Sequence, residues 1–197
     1  MSDVAVVVLA AGQGERLGGR TPKPLITLQG RPLVAWALDA AMATSFRPVV
    51  LVVGHGGMAV RRAAPPGVVV VRARKWRQGI ARSLWAGLEA LHHWARVGAV
   101  CVGLADQPLV GADAYRRLAA AHRDGARLAV ATYDGARGNP VLLDRGLWGE
   151  ARKLRGDVGA RALMDRHSVT EVDCTGTGDP TDVDTLADLG RLEERLQ

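Results

Sequence analysis

The sequence has few cysteines, few aromatic residues and no long apolar run, and each shortage excludes a class of protein. Its two cysteines, Cys101 and Cys174, are far apart, and Cys101 lies in an apolar stretch, which predicts two reduced thiols. No apolar run approaches the roughly 18 residues that a membrane-spanning helix needs. The first residues lack the basic segment and cleavage site of an exported chain. We therefore expect a cytoplasmic protein with no membrane partner.

Residues that stack on nucleic-acid bases are also scarce, with one phenylalanine and two tyrosines. The formal net charge is +6, but the basic residues are dispersed and form no known nucleic-acid motif. We expect no nucleic-acid partner, because an anionic small-molecule substrate explains the positive charge equally well.

The catalytic and metal-binding patterns of several enzyme classes are absent. The five histidines form no metal-ligand pattern, since His92 and His93 are adjacent and the others are isolated. There is no Gly-x-Ser-x-Gly motif, and neither cysteine lies in a cationic loop. The sequence therefore favours neither a zinc or iron centre nor a serine or cysteine nucleophile.

What the chain does contain is a regular alternation of apolar strands and amphipathic helices over 197 residues. The predicted strands are 4–8, 48–53, 67–71, 98–104, 128–133, 138–143 and 169–172. The predicted helices are 32–42, 78–94, 112–122, 147–154, 159–166 and 184–196. This order predicts one α/β domain over residues 1–197, a three-layer Rossmann-like sandwich with a mostly parallel twisted sheet and helices on both faces.

The loop after the first strand has the composition of a phosphate-binding loop. Its small residues and glycines allow backbone N–H groups to approach an anion, and Arg16 and Lys23 supply positive charge for a polyphosphate. The alternative is a glycine-rich surface turn with scattered charge. The candidate nucleotide-binding residues of this loop are Leu9, Ala10, Ala11, Gly12, Gly14 and Lys23.

Two better-known phosphate loops do not match. A dinucleotide-binding fingerprint requires a third glycine where Leu17 stands. A P-loop requires Gly-Lys-Ser/Thr at the start of a helix, whereas Lys23 lies between Pro22 and Pro24.

Asp106 follows the fourth predicted strand, and in a parallel sheet the site forms outside the carboxyl ends of the strands. A carboxylate at that position, held by the following Gln107-Pro108, is a good Mg²⁺ ligand. The alternative is that Asp106 caps the next helix, but that helix begins only near Asp113.

The motifs LAAG-x-G-x-R-x-G, Pro-Lys-Pro-Leu and Gly-x-x-Asp-Gln-Pro resemble those of nucleotidyltransferases with a glycosyltransferase-A-like fold, the nucleotide-diphospho-sugar transferase type. Within that group the chain is most similar to the molybdenum cofactor cytidylyltransferases and their molybdopterin-guanine relatives. The resemblance covers nearly the whole chain. It implies transfer of a nucleoside monophosphate from a nucleoside triphosphate to a phosphorylated acceptor.

The resemblance also implies roles for residues outside the loop. Gly79 and Ser83 would contact the base and ribose, although Ser83 could instead cap a helix. Asn139 would lie on the acceptor side. Asp184, or alternatively Asp182, would complete a Mg²⁺ site with Asp106. Two alternatives stay open: that Asp182 or Asp184 caps the last helix, and that Asp157 binds acceptor or metal or is a helix cap.

The reaction implied is Mg²⁺-dependent, with Arg16, Lys23 and Asp106 as catalytic residues and no general base, because an ionised phosphate is already nucleophilic. The motif Leu9-Ala10-Ala11-Gly12 favours CTP, and the family favours molybdopterin as acceptor, with an apoenzyme or chaperone as a further partner. The four residues between Gly18 and Lys23 are instead more typical of sugar-phosphate or methylerythritol cytidylyltransferases. The rival interpretations are another phosphorylated acceptor, an NAD(P)H-dependent oxidoreductase of the same family, and a non-catalytic nucleotide-binding module.

Overall fold

The structure is a computed structural model that describes residues 3–12, 14 and 21–196. Its strands are β1 (Asp3–Ala10), β2 (Thr27–Leu28), β3 (Arg31–Pro32), β4 (Val49–Val53), β5 (Val68–Arg72), β6 (Val97–Leu104), β7 (Leu128–Tyr133), β8 (Ala136–Asp144) and β9 (Thr170–Asp173). Its helices are α1 (Leu33–Ala43), α2 (Gly57–Arg62), α3 (Ile80–Ala90), α4 (Ala112–Arg123), α5 (Trp148–Ala151) and α6 (Leu186–Arg195).

The main sheet has the strand order β5-β4-β1-β6-β8-β7-β9. The pairs within β5-β4-β1-β6 are parallel, as is β7-β9, whereas β8 runs antiparallel to both of its neighbours. The exception has a local cause: only Asp134 and Gly135, both with positive φ, separate β7 from β8, and so short a connection produces a hairpin. The predicted mostly parallel sheet is confirmed.

Helices cover both faces of the sheet, so the predicted α/β sandwich is also confirmed. β1 shows why: alternate side chains, such as Val6 and Val7, enter two separate apolar cores. Helices α1 and α4 pack into the core that contains Val6, and α3 and α5 pack into the one that contains Val7. Both cysteines are buried free thiols, as predicted.

Several local predictions differ from the structure. The predicted helix 159–166 is only a 3-10 turn at Ala160–Leu163, and the predicted helix 147–154 shortens to a 3-10 turn at Arg145–Leu147 followed by α5. The sequence analysis missed α2, because α2 follows a run of glycines that reads as a loop. It also missed the β2–β3 hairpin, whose strands have two residues each. None of the described helices is long and apolar enough to span a membrane.

Candidate active site

β1 and β6, the strand that precedes Asp106, are neighbours at the centre of the sheet. β1 and β6 pair in parallel, with Leu9 opposite Leu104, so their carboxyl ends lie at the same edge. The backbone N–H of Ala105 donates to the carbonyl of Leu9 at 3.0 Å, which continues the pairing past the strand ends. As a result, Gly12 and Asp106 line one cleft of about 510 Å³.

Lys23 contacts two carboxylates that are far from it in the sequence, and the three residues were predicted to share one site. Its Nζ donates to Asp106 Oδ2 and to Asp184 Oδ1, both at 2.6 Å. Burial alone would favour a neutral amine and is the largest influence, but the attraction of Asp106 and Asp184 together outweighs it and raises the pKa of Lys23. Lys23 is therefore a buried ammonium group that bridges two carboxylates.

The backbone around Lys23 is fixed from two sides. Lys23 lies in a 3-10 turn, Lys23–Leu25, between two prolines, and the N–H of Leu25 closes the turn on the carbonyl of Pro22 at 2.8 Å. Gly14, with a φ of +72°, packs on Lys23 so closely that a Cβ there would lie 2.8 Å from the Cβ of Lys23. Arg16, the other predicted cation of the loop, lies outside the described residues.

The second carboxylate comes from the segment before α6. The N–H of Val183 donates to the carbonyl of Asp106 at 2.8 Å, and the side chain of Val183 is fully buried. This anchor holds Asp182 and Asp184 beside Asp106. Burial, followed by the negative charges of Asp106 and Asp184, raises the pKa of Asp182 to about 6.

The alternative that Asp182 or Asp184 caps the last helix is wrong. The hydroxyl of Thr185 accepts from the N–H of Asp188, and the carboxylate of Asp188 accepts from the N–H of Thr185, which forms a capping box. The helix is thus capped without either aspartate, and Asp184 directs its carboxylate to Lys23.

The donor set fits a hard divalent cation. The oxygens of Asp106 and Asp184 lie no farther apart than twice their common 2.6 Å distance from Nζ of Lys23. Mg²⁺ is commonly bound by one or two carboxylates, with water and substrate phosphates at its other positions. Within the part of the chain that the structure describes, no cluster of three or more His, Cys, Asp or Glu side chains is arranged as a metal site. A metal at Asp106 and Asp184 would therefore depend on other ligands, as a nucleotide-bound Mg²⁺ does.

The far side of the cleft contains the predicted base- and ribose-contacting residues, Gly79 and Ser83. Ser83 is buried within α3, and the residue at the N-cap of α3 is Gly79, so the alternative that Ser83 caps the helix is wrong. Trp76 also lines the cleft, with its ring 5.6 Å from that of His55 and 4.8 Å from the guanidinium of Arg77. The side that would hold a base thus has an aromatic wall already packed against two neighbours.

Gly79 has a structural role that the sequence analysis did not foresee. Its φ is +99°, and a Cβ there would lie 2.1 Å from the carbonyl carbon of Gly156. The N–H of Ala81 donates to the carbonyl of Gly156 at 3.2 Å, which ties the segments together. Gly79 is therefore required for the close approach of another backbone segment, besides any approach of a base.

A second, smaller pocket of about 210 Å³ adjoins the cleft, and Leu9, Leu104 and Asp157 line both. Its polar lining comprises Asn139, Asp157, Arg161 and Asp182. Asp157 is not a helix cap, since the turn that follows is preceded by Gly159 and has no side-chain cap. The predicted acceptor-side residues thus lie together beside the predicted nucleotide cleft.

One residue of this region has a role that the sequence analysis missed. Gln107 is buried, and its Oε1 accepts from Asn139 Nδ2 at 3.0 Å while its Nε2 donates to the carbonyl of Pro180 at 2.8 Å. The hydroxyl of Tyr133 donates to the carbonyl of Asn139 at 2.8 Å. Gln107 therefore orients Asn139, and its position directly after Asp106 in the motif is the signal that could have indicated this.

Not all of the residues predicted to bind the nucleotide at the start of the loop, residues 9–12, line the cleft. Leu9, Ala11 and Gly12 line it, whereas the side chain of Ala10 packs into the core on one face of the sheet. Ala10 was predicted to bind the nucleotide, and the structure leaves only its backbone for that role.

The fold and the site define an α/β protein whose charged groups gather at the carboxyl edge of a mostly parallel sheet. A sequence profile of the MobA-like NTP transferase domain matches residues 6–172. The chain belongs to the MobA-like NTP transferase family, as the sequence motifs predicted, and is thereby placed among the nucleotidyltransferases.

Two curated relatives differ in name and in the share of their length that this chain covers. The chain is 35% identical over 201 residues to nicotine blue oxidoreductase of Paenarthrobacter nicotinovorans, with 96% of each chain covered. It is 35% identical over 168 residues to the bifunctional protein GlmU of Kineococcus radiotolerans, which covers 84% of this chain but 32% of GlmU. The chain thus spans nearly all of the first relative and about a third of the second.

Solved structures show the same architecture. Rv0371c from Mycobacterium tuberculosis H37Rv superposes with a TM-score of 0.86 at 33% identity and 98% coverage of both chains. A second structure of Rv0371c, described as a complex with manganese, gives a TM-score of 0.80 at 32% identity, with 98% of this chain and 99% of that chain covered.

Proposed function

We propose that this protein transfers CMP from CTP to a phosphorylated acceptor, molybdopterin, in a Mg²⁺-dependent reaction that releases pyrophosphate. The observation that carries the proposal is the contact of Lys23 with Asp106 and Asp184. Asp106 lines the same cleft as Gly12, and this cleft shares lining residues with a second pocket. Such an arrangement offers one position for a triphosphate and another for an acceptor. Family membership supports the same reaction class.

The residues present account for the chemistry. An oxygen of the acceptor phosphate forms a bond to the α-phosphorus in line with the departing oxygen, and the bond to pyrophosphate breaks. No general base is required, because the attacking phosphate is already ionised. Lys23 and Arg16 offset the negative charge on the phosphates, and backbone N–H groups of the glycine loop fix their position. Mg²⁺, held by Asp106 and Asp184, would polarise the phosphoryl oxygens.

The two pockets divide the substrates. The larger cleft, with Gly79, Ser83 and Trp76, takes the nucleoside, and the smaller pocket, with Asn139 and Arg161, takes the acceptor. Both share Leu9 and Leu104, so the α-phosphate and the acceptor phosphate meet at the carboxyl ends of β1 and β6. The preference for CTP rests on the resemblance of the loop start to the cytidylyl branch.

A second function is favoured by a specific observation. Nicotine blue oxidoreductase shares 35% identity with this chain over nearly the full length of both. An NAD(P)H-dependent reduction is therefore the alternative to nucleotidyl transfer. A different phosphorylated acceptor, such as a sugar phosphate, is the alternative within nucleotidyl transfer, in line with the spacing between Gly18 and Lys23.

Pyrophosphate release separates these functions. The protein is incubated with Mg²⁺ and CTP, GTP, ATP or UTP in turn, with molybdopterin, with glucose 1-phosphate or without acceptor. We expect release only with an acceptor, and a turnover with CTP and molybdopterin at least about tenfold above the other pairs. Pyrophosphate release with glucose 1-phosphate but not with molybdopterin would show that the acceptor is a sugar phosphate instead of molybdopterin. Oxidation of NADPH with a dye substrate, without pyrophosphate release from any pair, would overturn nucleotidyl transfer.

A further inference from the structure

The ammonium group of Lys23 lies between the two carboxylates that are the candidate metal ligands. Its Nζ is 2.6 Å from an oxygen of each, and the residue is only 8% exposed. An ammonium group at that position satisfies the same oxygens that a divalent cation would require. Lys23 and a metal held by both Asp106 and Asp184 therefore compete for one place.

Lys23 is anchored at its backbone but flexible beyond it. The prolines on either side, the closed turn at Lys23–Leu25 and the close packing of Gly14 fix its Cα and Cβ. The rest of the side chain is an unbranched stem with rotatable bonds. Its ammonium group can therefore leave the carboxylates by side-chain rotation, without movement of the sheet or the turn.

The surroundings explain why a cation is needed there at all times. Val183, which lies between Asp182 and Asp184 in the chain, donates its N–H to the carbonyl of Asp106 at 2.8 Å, so the three aspartates are held close together. Without a positive charge among them, these carboxylates would repel one another. A triphosphate near Gly12 would present Lys23 with a higher density of negative charge than two carboxylates do, so its arrival favours the exchange.

We propose that Lys23 is a built-in substitute for the divalent cation, one that keeps the carboxylates satisfied and unavailable to metal until a nucleoside triphosphate draws the ammonium onto its phosphates. This inference rests on the proposed function and adds an order of events. The metal enters together with the nucleotide, and the enzyme without nucleotide has low affinity for the metal alone. Lys23 thereby couples metal binding to nucleotide binding.

Binding of Mn²⁺ in the absence of nucleotide tests the proposal without any turnover. The loss of the free Mn²⁺ signal in electron paramagnetic resonance measures the affinity of the wild-type protein and of Lys23→Met, whose side chain is unbranched and uncharged. Coupling energies between linked sites correspond to factors of about 5–150, so we expect Lys23→Met to bind Mn²⁺ tighter by a factor in that range. Lys153→Met is the matched control, because it removes the same charge from an exposed position, and its Mn²⁺ affinity should equal that of the wild type.

A double variant assigns any gain to the predicted ligands. In Lys23→Met with Asp106→Asn, the extra affinity for Mn²⁺ should be lost. Circular dichroism and a thermal-unfolding scan verify that each variant is folded, and Lys23→Gln replaces Lys23→Met where the latter does not fold. Equal or weaker Mn²⁺ binding by the folded Lys23 variant than by the wild type would overturn the proposal. Because no nucleotide is present, that result is distinguishable from a failure of the pyrophosphate assay, which concerns the proposed reaction only.

Discussion

Replacing Asp106 with asparagine is expected to lower metal-dependent turnover by about 10²–10³-fold while the protein stays folded. The exchange keeps the size of the side chain but removes the negative charge that a hard cation requires. Losses of this size are typical when one group that stabilises transition-state charge is removed. The fold should tolerate it, because the side chain of Asp106 is 28% exposed and Lys23 keeps its contact with Asp184.

The measurement is the rate of pyrophosphate release over a range of Mg²⁺ concentrations, together with the unfolding midpoint in urea. Asp113→Asn is the matched control, since it makes the same chemical change on an exposed carboxylate at the start of α4, where the partner is Arg116. We expect wild-type turnover for the control. Turnover by Asp106→Asn within about threefold of the control would show that Asp106 is not a metal ligand.

The central part of the fold was predictable because its strands bury both faces. Runs such as 4–8 and 98–104 consist mainly of small and β-branched apolar residues, and the structure has β1 and β6 there. Elements that depend on a few residues were not predictable. The β2–β3 hairpin is defined by Gln29 and Gly30, both with positive φ, and its strands are too short to show alternation.

The N-terminus of the last helix shows how side-chain contacts set a helix boundary that amino-acid composition does not reveal. The prediction began this helix at residue 184, but the capping box of Thr185 and Asp188 starts α6 at Leu186. Because the helix begins two residues later than predicted, Asp184 lies outside it, and its carboxylate contacts Lys23. A boundary of this kind is local in sequence, yet it decides which aspartate enters the site.

The candidate site was predictable in its parts but not in its contacts. Lys23, Asp106 and Asp184 each follow from a motif, but 83 and 161 residues separate Lys23 from its two partners. Only the parallel pairing of β1 with β6 and the anchor at Val183 bring them together. The sequence contains no local pattern that encodes these ion pairs. The role proposed for Lys23, as a substitute for the divalent cation, follows only from the positions of the three side chains.

The substitution Gly79→Ala is expected to destabilise the protein by about 2–6 kcal/mol. Two costs add. The backbone of Gly79, with φ +99° and ψ 172°, lies in a region that is almost restricted to glycine, and strain of that kind costs about 1–3 kcal/mol. The new Cβ would also fall 2.1 Å from the carbonyl carbon of Gly156, and overpacking against groups that cannot move away costs a further ~1–3 kcal/mol.

Urea denaturation measures the free energy of unfolding, with Gly149→Ala as the control. Gly149 lies in α5, and a Cβ there meets nothing within 4 Å, so the control should be neutral or slightly stabilising. An unfolding free energy of Gly79→Ala equal to that of the control would contradict the packing described. Because Gly79 and Asp157, which follows Gly156, both line the larger cleft, the clash would also displace part of the cleft wall. Turnover should therefore fall even under conditions in which Gly79→Ala is fully folded, since the proposed nucleoside position lies against this wall of the cleft.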